Sequence, residues 1–205
     1  DFFVDDVARE WPFESPEEIA PDLAVYRKTE PLTPLLKKWV ESVPRKKQVT
    51  IDMLVELNRQ LEQETEYLIR MEPGVQIPEE TLEKKSGSCR DTSWLLINIL
   101  RHLGFATRFV SGYLIQLKPD LEALNGPSGT DHDFTDLHAW CEVYLPGAGW
   151  VGLDPTSGLL TGESHIPLAA TPHYSNAAPI VGGFSGDKDT QTDFDFEMEV
   201  HRIAE

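Results

Sequence analysis

Residues 87–113 read GSCRDTSWLLINILRHLGFATRFVSGY, and this stretch decides the fold. From Cys89 to His102 it reads as a helix, apolar on most sides through Trp94, Leu95, Leu96, Ile97, Ile99 and Leu100, with Leu103 just beyond. A helix apolar nearly all round packs on several faces, so this is a central helix. Gly104 ends it in the C′ role, and Ser86-Gly87-Ser88 forms a tight entry. The hydrophobic period then drops to two, and Ala106 to Leu117 reads as a strand.

On the N-terminal side, residues 33–43 carry Leu35, Leu36, Trp39, Val40 and Val43 on one helical face, with Thr33 as N-cap and Pro34 at N1. Residues 50–64 repeat the pattern through Met53, Leu54, Leu57 and Leu61, with Thr50 as a possible cap. The following stretch reads as extended chain and turns, marked by Pro73-Gly74 and Pro78, with one helical turn at Glu79 to Leu82. Residues 1–30 are acidic and Pro-rich and read as irregular, packing through Phe2, Phe3, Trp11 and Phe13.

On the C-terminal side, residues 118–136 read as a polar loop with Asn125-Gly126-Pro127 at its tip. Leu137 to Leu145 and Gly149 to Leu153 form a hairpin closed at Pro146-Gly147. Residues 155–186 are rich in Gly, Pro, Ser and Thr and read as a long ordered loop. Phe194, Phe196, Met198 and Val200 alternate with acidic residues and read as a final half-buried strand. Helices first and antiparallel strands afterwards give an α+β class.

The whole chain has 205 residues, 40% of them hydrophobic and 26% charged, the mix of a globular domain. We divide it into an N-terminal segment (1–30), a core (31–160) and a C-terminal loop and strand (161–205) that completes the same domain. The acidic start without methionine and an end inside a strand pattern read as a piece of something longer, with flanking domains on the same chain. Eighteen basic residues against 35 acidic ones leave a formal charge of -17. Such a surface repels phosphate backbones and anionic lipid, so neither nucleic acid nor membrane is an expected partner. It would attract a Lys-rich substrate, although solubility is the plainer use of the charge. No run of 18 apolar residues occurs. Two cysteines in unlike contexts do not make a disulfide framework, and a cytoplasmic setting is expected.

Cys89 stands at the first turn of the central helix. Free N–H groups and a partial positive charge gather at that end, and both favour a thiolate. Arg90 adds a neighbouring positive charge, and the Gly and Ser residues before Cys89 allow a substrate backbone to approach. The same N–H groups suit an oxyanion. An isolated Cys is more often a small buried apolar side chain; the Gly-Ser helix entry reverses that preference. In Leu137-His-Ala-Trp-Cys-Glu-Val-Tyr, alternation puts His138, Trp140, Glu142 and Tyr144 on one face, and Ala139, Cys141, Val143 and Leu145 on an apolar one. Cys141 therefore reads as structural. A lone strand His is also more often structural, and an Asp before Pro is common in turns. Register raises the interest of both. A three-residue loop at Leu145-Pro146-Gly147 would set Trp140 opposite Gly152 and His138 opposite Asp154, with Cβ atoms roughly 4.5 to 5.5 Å apart. A four-residue loop would put the two on opposite faces.

Other reagents are weaker. Asp131-His132-Asp133 looks like a metal-binding cluster but reads as a solvated loop. His102 suits a helix C-terminus, and His165, His173 and His201 show no partner. No nucleotide or zinc motif is present, so no cofactor or metal is expected.

GSCRDTSWLLINILRHLGFATRFVSGY, followed by DLHAWCEVYLPGAGWVGLDPTSG, resembles the transglutaminase-like superfamily. The resemblance lies in a Cys at a central helix start, a "HAW" strand (His138-Ala139-Trp140) and a "DPT" segment (Asp154-Pro155-Thr156). MEPGVQIPEETL and HIPLAATPHYSNAAPIVG resemble the bacterial branch of cysteine-peptidase type. The resemblance implies a papain-like α+β fold with the Cys89 helix packed on an antiparallel sheet. It implies Cys89 as nucleophile, His138 as general base and acid, and Asp154 as the group that orients it. The Cys89 N–H would bind the oxyanion, with Gln76 or Trp94 as the second donor and Trp140 beside the site. No calcium site is carried over, because the sequence shows no matching ligand set. An acyl-enzyme on Cys89 would be resolved by water or by an amine. Hydrolysis of a protein or peptide amide is preferred; cross-linking of glutamine to an amine and a non-catalytic peptide-binding module are the alternatives.

Overall fold

The computed structural model describes residues 3–118, 132–178, 181–183, 185–187, 189–191, 197–201 and 203. A 3-10 turn at Asp6–Ala8 leads into β1 (Glu10–Trp11), α1 (Ala20–Leu23) and a second 3-10 turn at Ala24–Arg27. Then come α2 (Pro34–Ser42), β2 (Gln48–Val49), α3 (Thr50–Glu64), β3 (Glu66–Tyr67), α4 (Pro78–Lys84), β4 (Ser86–Gly87) and α5 (Cys89–His102). The sheet strands follow as β5 (Thr107–Gln116), β6 (Phe134–Leu145), β7 (Gly149–Asp154), β8 (Leu159–Leu160) and β9 (His165–Thr171).

The three long helices start and stop where the pattern puts them. Helix α5 is buried from Asp91 through Arg101, as an all-round apolar helix must be. Its C-terminus closes as a Schellman motif: Gly104 N–H donates to Arg101 O and Phe105 N–H to Leu100 O, each at 3.0 Å. Gly104 supplies the positive φ of +99° that this turn demands. Arg101, 5% exposed, ties this end down. Its guanidinium donates to the carbonyls of Lys28, Thr107 and Pro172 and to the Thr107 hydroxyl.

Strands run in the order β8-β7-β6-β5-β9, all antiparallel, and α5 lies across the central strands. The core is made where Leu95, Leu96, Ile99 and Leu100 of the helix meet Phe109, Ala139, Cys141, Val143 and Leu153 of the sheet. Ser93 fixes their relative register by donating to Ala139 O at 3.1 Å.

Several expectations change. Residues 155–186 are not one long loop: β8 and β9 lie within them and form both edges of the sheet. Strand β6 begins at Phe134, three residues before the expected Leu137. The turn at 79–82 is the middle of the two-turn α4. At α2, Thr33 takes the N-cap position without a side-chain cap bond; the Glu79 carboxylate accepts from Leu35 and Leu36 N–H instead. Thr50 is inside α3 and donates its hydroxyl to Ala8 O. The first 30 residues hold short elements, and β1 pairs with β2. Trp11 and Phe13 pack against Phe105, whereas Phe3 is 64% exposed and Phe2 lies outside the described residues. At the C-terminus, residues 197–200 belong to no strand, and Phe194 and Phe196 lie outside the description. So do Asn125-Gly126-Pro127 and Asp131. No helix among the described residues is long and apolar enough to cross a membrane.

Candidate active site

Cys89 owes its place to the way the helix entry is built. The fully buried Asp91 carboxylate accepts from the Ser88 N–H (2.9 Å) and hydroxyl (2.8 Å), closing the first turn of α5 on itself. It also accepts from Arg70 Nε at 2.9 Å, Arg70 Nη2 at 3.0 Å and the Gln76 N–H at 2.8 Å. Burial raises its pKa, but these donors outweigh burial and hold it below the usual carboxylate value. Arg90 does not point at the sulfur: its guanidinium donates to the carbonyls of Arg70 and Glu72. Arg70, Arg90 and Asp91 thus staple the segment after β3 across the helix end. Glu66 and Tyr67 pair in parallel with Ser86 and Gly87, directly before Cys89.

The strand side comes from β6 and β7. Cys141 faces Leu153, Glu142 faces Gly152 and Leu145 faces Gly149. The hairpin loop is therefore Pro146 to Ala148, and the register differs by two residues from the expected one. Trp140 is not opposite Gly152, and continuing the ladder puts Asp154 across from Trp140. A shift of two keeps the face, because side chains alternate with period two. Asp154 is therefore a diagonal neighbour of His138, and His138 Nε2 lies 3.0 Å from Asp154 Oδ2. Both side chains are over nine-tenths buried.

With Nε2 committed to Asp154, Nδ1 is the ring nitrogen left over, and the half-buried Cys89 thiol is near enough to this imidazole to count among the groups that raise its pKa. Ser93 follows Cys89 by one turn on the same helix face, and its bond to Ala139 fixes the helix beside His138. Burial pushes the His138 pKa down, but hydrogen bonds and charge from Asp154 and Cys89 win and raise it to about 10. Asp154 shows the mirror effect. Burial raises it, yet bonds from His138, His165 and Thr156 hold it far below the usual carboxylate range. Thr156 N–H and Oγ1 both bond to Asp154 Oδ1, at 2.9 and 2.7 Å. The Asn58 amide of α3 donates to Asp154 O and Leu159 O and fixes the backbone on either side of that turn.

The remaining candidates separate. Gln76, 6% exposed, is tied to the helix entry through its N–H on Asp91, and its Oε1 accepts from Thr81 Oγ1. Trp94 sits five residues beyond Cys89, roughly 140° around the helix. Its ring packs on His173 and Tyr174 beneath the Arg101 guanidinium. Trp140, 1% exposed, walls the site between His138 and His165.

Three side chains were missed. His165, expected to have no partner, bonds through Nε2 to Asp154 Oδ2 at 3.3 Å. Likewise His173 bonds to Ser175 and His201 to Glu199. Asp91 had a readable signal, a carboxylate at the third position of a helix after Ser. Tyr67 had none. It is 48% exposed, and its pKa is raised by burial and by the charges of Cys89, Asp136 and Asp154, so it lies within electrostatic range of the site. Among the described residues, His138, Asp154 and His165 are the one group whose donor atoms, all within 4.8 Å of one another, could hold a metal ion. His132 and Asp133 are not part of it: Asp133 accepts from the Lys118 N–H instead.

A family model described as the transglutaminase-like superfamily matches residues 37–155. An uncharacterised protein of Mycobacterium leprae is 31% identical over 125 residues, covering 61% of this chain and 41% of that one. An uncharacterised protein of Mycobacterium tuberculosis is 33% identical over 109 residues, covering 50% of this chain and 32% of that one. The chain thus spans less than half the length of these curated relatives. Its fold is shared with a protein of Cytophaga hutchinsonii described as a candidate cysteine protease. That match has a TM-score of 0.56 at 20% identity, over 80% of this chain and 50% of the other.

Proposed function

The chain belongs to the transglutaminase-like superfamily, and from that premise we propose that it is a thiol-dependent amide hydrolase working through an acyl-enzyme on Cys89. The observation that carries this is the pairing of His138 Nε2 with Asp154 Oδ2 at 3.0 Å, with the Cys89 thiol near enough to the same ring to help raise its pKa. A His138 protonated at neutral pH puts a positive charge beside Sγ, the electrostatic condition for a thiolate.

In the forward step the sulfur attacks the amide carbonyl carbon and the carbonyl oxygen takes the negative charge. The Cys89 backbone N–H, first in α5, donates to that oxygen. We assign the second donor to the Gln76 side-chain N–H rather than to Trp94. Thr81 occupies the Gln76 oxygen, and the Trp94 ring packs on another side of the helix. The tetrahedral intermediate expels the amine, which takes its proton from His138. His138, now neutral, deprotonates the incoming water. The water oxygen adds to the thioester carbonyl, the C–S bond breaks, and the acid leaves with Cys89 and His138 restored. Asp154 keeps the ring oriented throughout.

We propose a protein or peptide amide as substrate, supported by the superfamily and by the fold shared with a candidate cysteine protease. A cytoplasmic setting is likewise proposed, on the support of two cysteines that form no disulfide. The test offers the chain a glutamine-containing peptide together with a labelled primary amine. Release of the acid with little label incorporated is expected. Incorporation without acid release would show an acyltransferase and overturn hydrolysis, and neither product with Cys89 unmodified would leave a peptide-binding module.

A further inference from the structure

The Asp154 carboxylate is held by two histidines, and only one of them has a role so far. His165 Nε2 reaches the same oxygen, Oδ2, that binds His138. The His165 side chain is 9% exposed. Its ring stands edge-on to Trp140 at 5.2 Å and lies 5.7 Å from the His138 ring. Contacts on its far side fix its proton. Nδ1 faces the Gly162 N–H at 3.4 Å and the Ser164 hydroxyl at 3.2 Å. A backbone N–H can only donate, so Nδ1 presents its lone pair and the neutral ring carries its hydrogen on Nε2, aimed at Asp154. The delivery is built into the sheet. His165 begins β9, two strands away from β6, and β9 bulges opposite Ser111 and Gly112. A Cβ on Gly112 would collide with the Ile166 carbonyl oxygen, so the bulged edge strand approaches β5 this closely only because this residue is glycine.

We propose that His165 is a positioning residue for the Cys89-His138-Asp154 site: as a neutral N–H donor it fixes Asp154 Oδ2 and limits how much of the carboxylate's charge reaches His138. This rests on the site reading above. Two N–H groups compete for one oxygen, so each receives less than it would alone. The groups facing His138 are Cys89 from α5, Asp154 from β7, His165 from β9 and Trp140 of its own strand. Tyr67 and Asp136 lie within electrostatic range of Cys89 and Asp154. None of these others donates to Asp154 Oδ2. Loss of His165 therefore gives Asp154 more fully to His138, and the imidazolium holds its proton to higher pH. A glutamine, whose amide N–H can take the place of Nε2–H, restores the competition.

Metal binding by the same three side chains requires the opposite tautomer. The metal would take the Nε2 lone pair, leaving the His165 hydrogen on Nδ1 against the Gly162 N–H.

The test is long-range nitrogen–proton NMR of the full chain labelled with 15N-histidine, followed through a pH titration. His165 is expected in the Nε2–H form near neutral pH. His165→Ala is expected to move the His138 midpoint upward by about half a unit or more, and His165→Gln to return it toward the parent value. Where turnover is measured, the alkaline limb of kcat/KM moves with it. An Nδ1–H tautomer in the parent chain would overturn the proposal, with or without bound zinc by elemental analysis. So would an unmoved His138 midpoint in His165→Ala, or an equal shift in both variants. The tautomer reading needs no variant to fold. The NMR needs no turnover, so a chain that titrates as expected yet cleaves no amide would overturn the hydrolase reading alone.

Discussion

Cys89 and Cys141 are the same residue in the same fold, 52 positions apart, and their surroundings have almost nothing in common. Cys89 opens a helix, is half-buried and shares its imidazole partner with a buried carboxylate. Cys141 sits in the middle of β6 with no exposed surface, on the face that packs against α5. Burial pushes the Cys141 thiol up; the Arg101 cation opposes this and does not overcome it. Environment is thus assigned by element and face, and the strand that carries Cys141 inward also carries His138, the imidazole whose pKa Cys89 helps to raise. Alternation does both jobs: an odd position feeds the core and an even one the site.

Four measurements would break or sharpen that contrast. The widest gap belongs to truncation. Cys89→Ala should lose amide turnover by on the order of 10⁴-fold or more while the fold melts as before. Cys141→Ala should keep its turnover and lose roughly 1 kcal/mol of stability by thermal denaturation. Equal activity in the two variants would erase the distinction. Next is alkylation. Iodoacetamide at pH 6, followed by peptide mass mapping, should modify Cys89 well before Cys141, because Cys141 waits for the core to open. Equal, slow labelling would mean that the helix entry confers nothing.

The third measurement attacks the entry itself. Asp91→Ala leaves Arg70 and the N–H groups of Ser88 and Gln76 without their acceptor, and should cost about 3 kcal/mol in denaturant unfolding. It should also narrow the labelling gap, since the first turn that presents Cys89 frays. The smallest effect is a pH slope. The His138 pKa is raised to about 10, so its contribution to stability is complete below about 6.5 and fades as pH climbs through the raised value. Asp154 is held low, so its share is complete above about 4 and is lost in acid. The midpoint of thermal unfolding should therefore fall between pH 7 and 10, and more steeply in the parent than in Asp154→Asn. An identical slope in both would separate the histidine from its carboxylate.

Much of this was legible because it is local. Helix α5 shows itself by its apolar run, its Gly104 stop and its Gly-Ser entry, all within about five turns of chain. The face shared by His138 and Asp154 was legible despite a register wrong by two, since an even error leaves the face unchanged. What stayed hidden was long-range. Strand β9 carries a proline and exposes Ile166, Pro167 and Leu168, a pattern tolerated on an edge strand but indistinguishable from a loop in the sequence. His165 was therefore given no partner, because its partner depends on where that edge strand pairs and bulges beside Gly112. The target of Arg90 was misread for a similar reason. Sequence adjacency put its charge beside Cys89, but a long side chain on a helix reaches whatever carbonyls the neighbouring loop leaves open.

The contacts around Asp154 have one more consequence, a matter of counting. A carboxylate offers about four lone-pair sites, two on each oxygen. Here Oδ2 is taken by two imidazoles and Oδ1 by the N–H and hydroxyl of Thr156. Its capacity is full. No water can bond to it and no travelling proton can land on it while the four donors stay in place. In the proposed reaction the proton inventory would then close over the sulfur, the His138 ring and the substrate. Asp154 would be a fixed counter-charge in that exchange, coming out of each turnover with the same four bonds it had at the start.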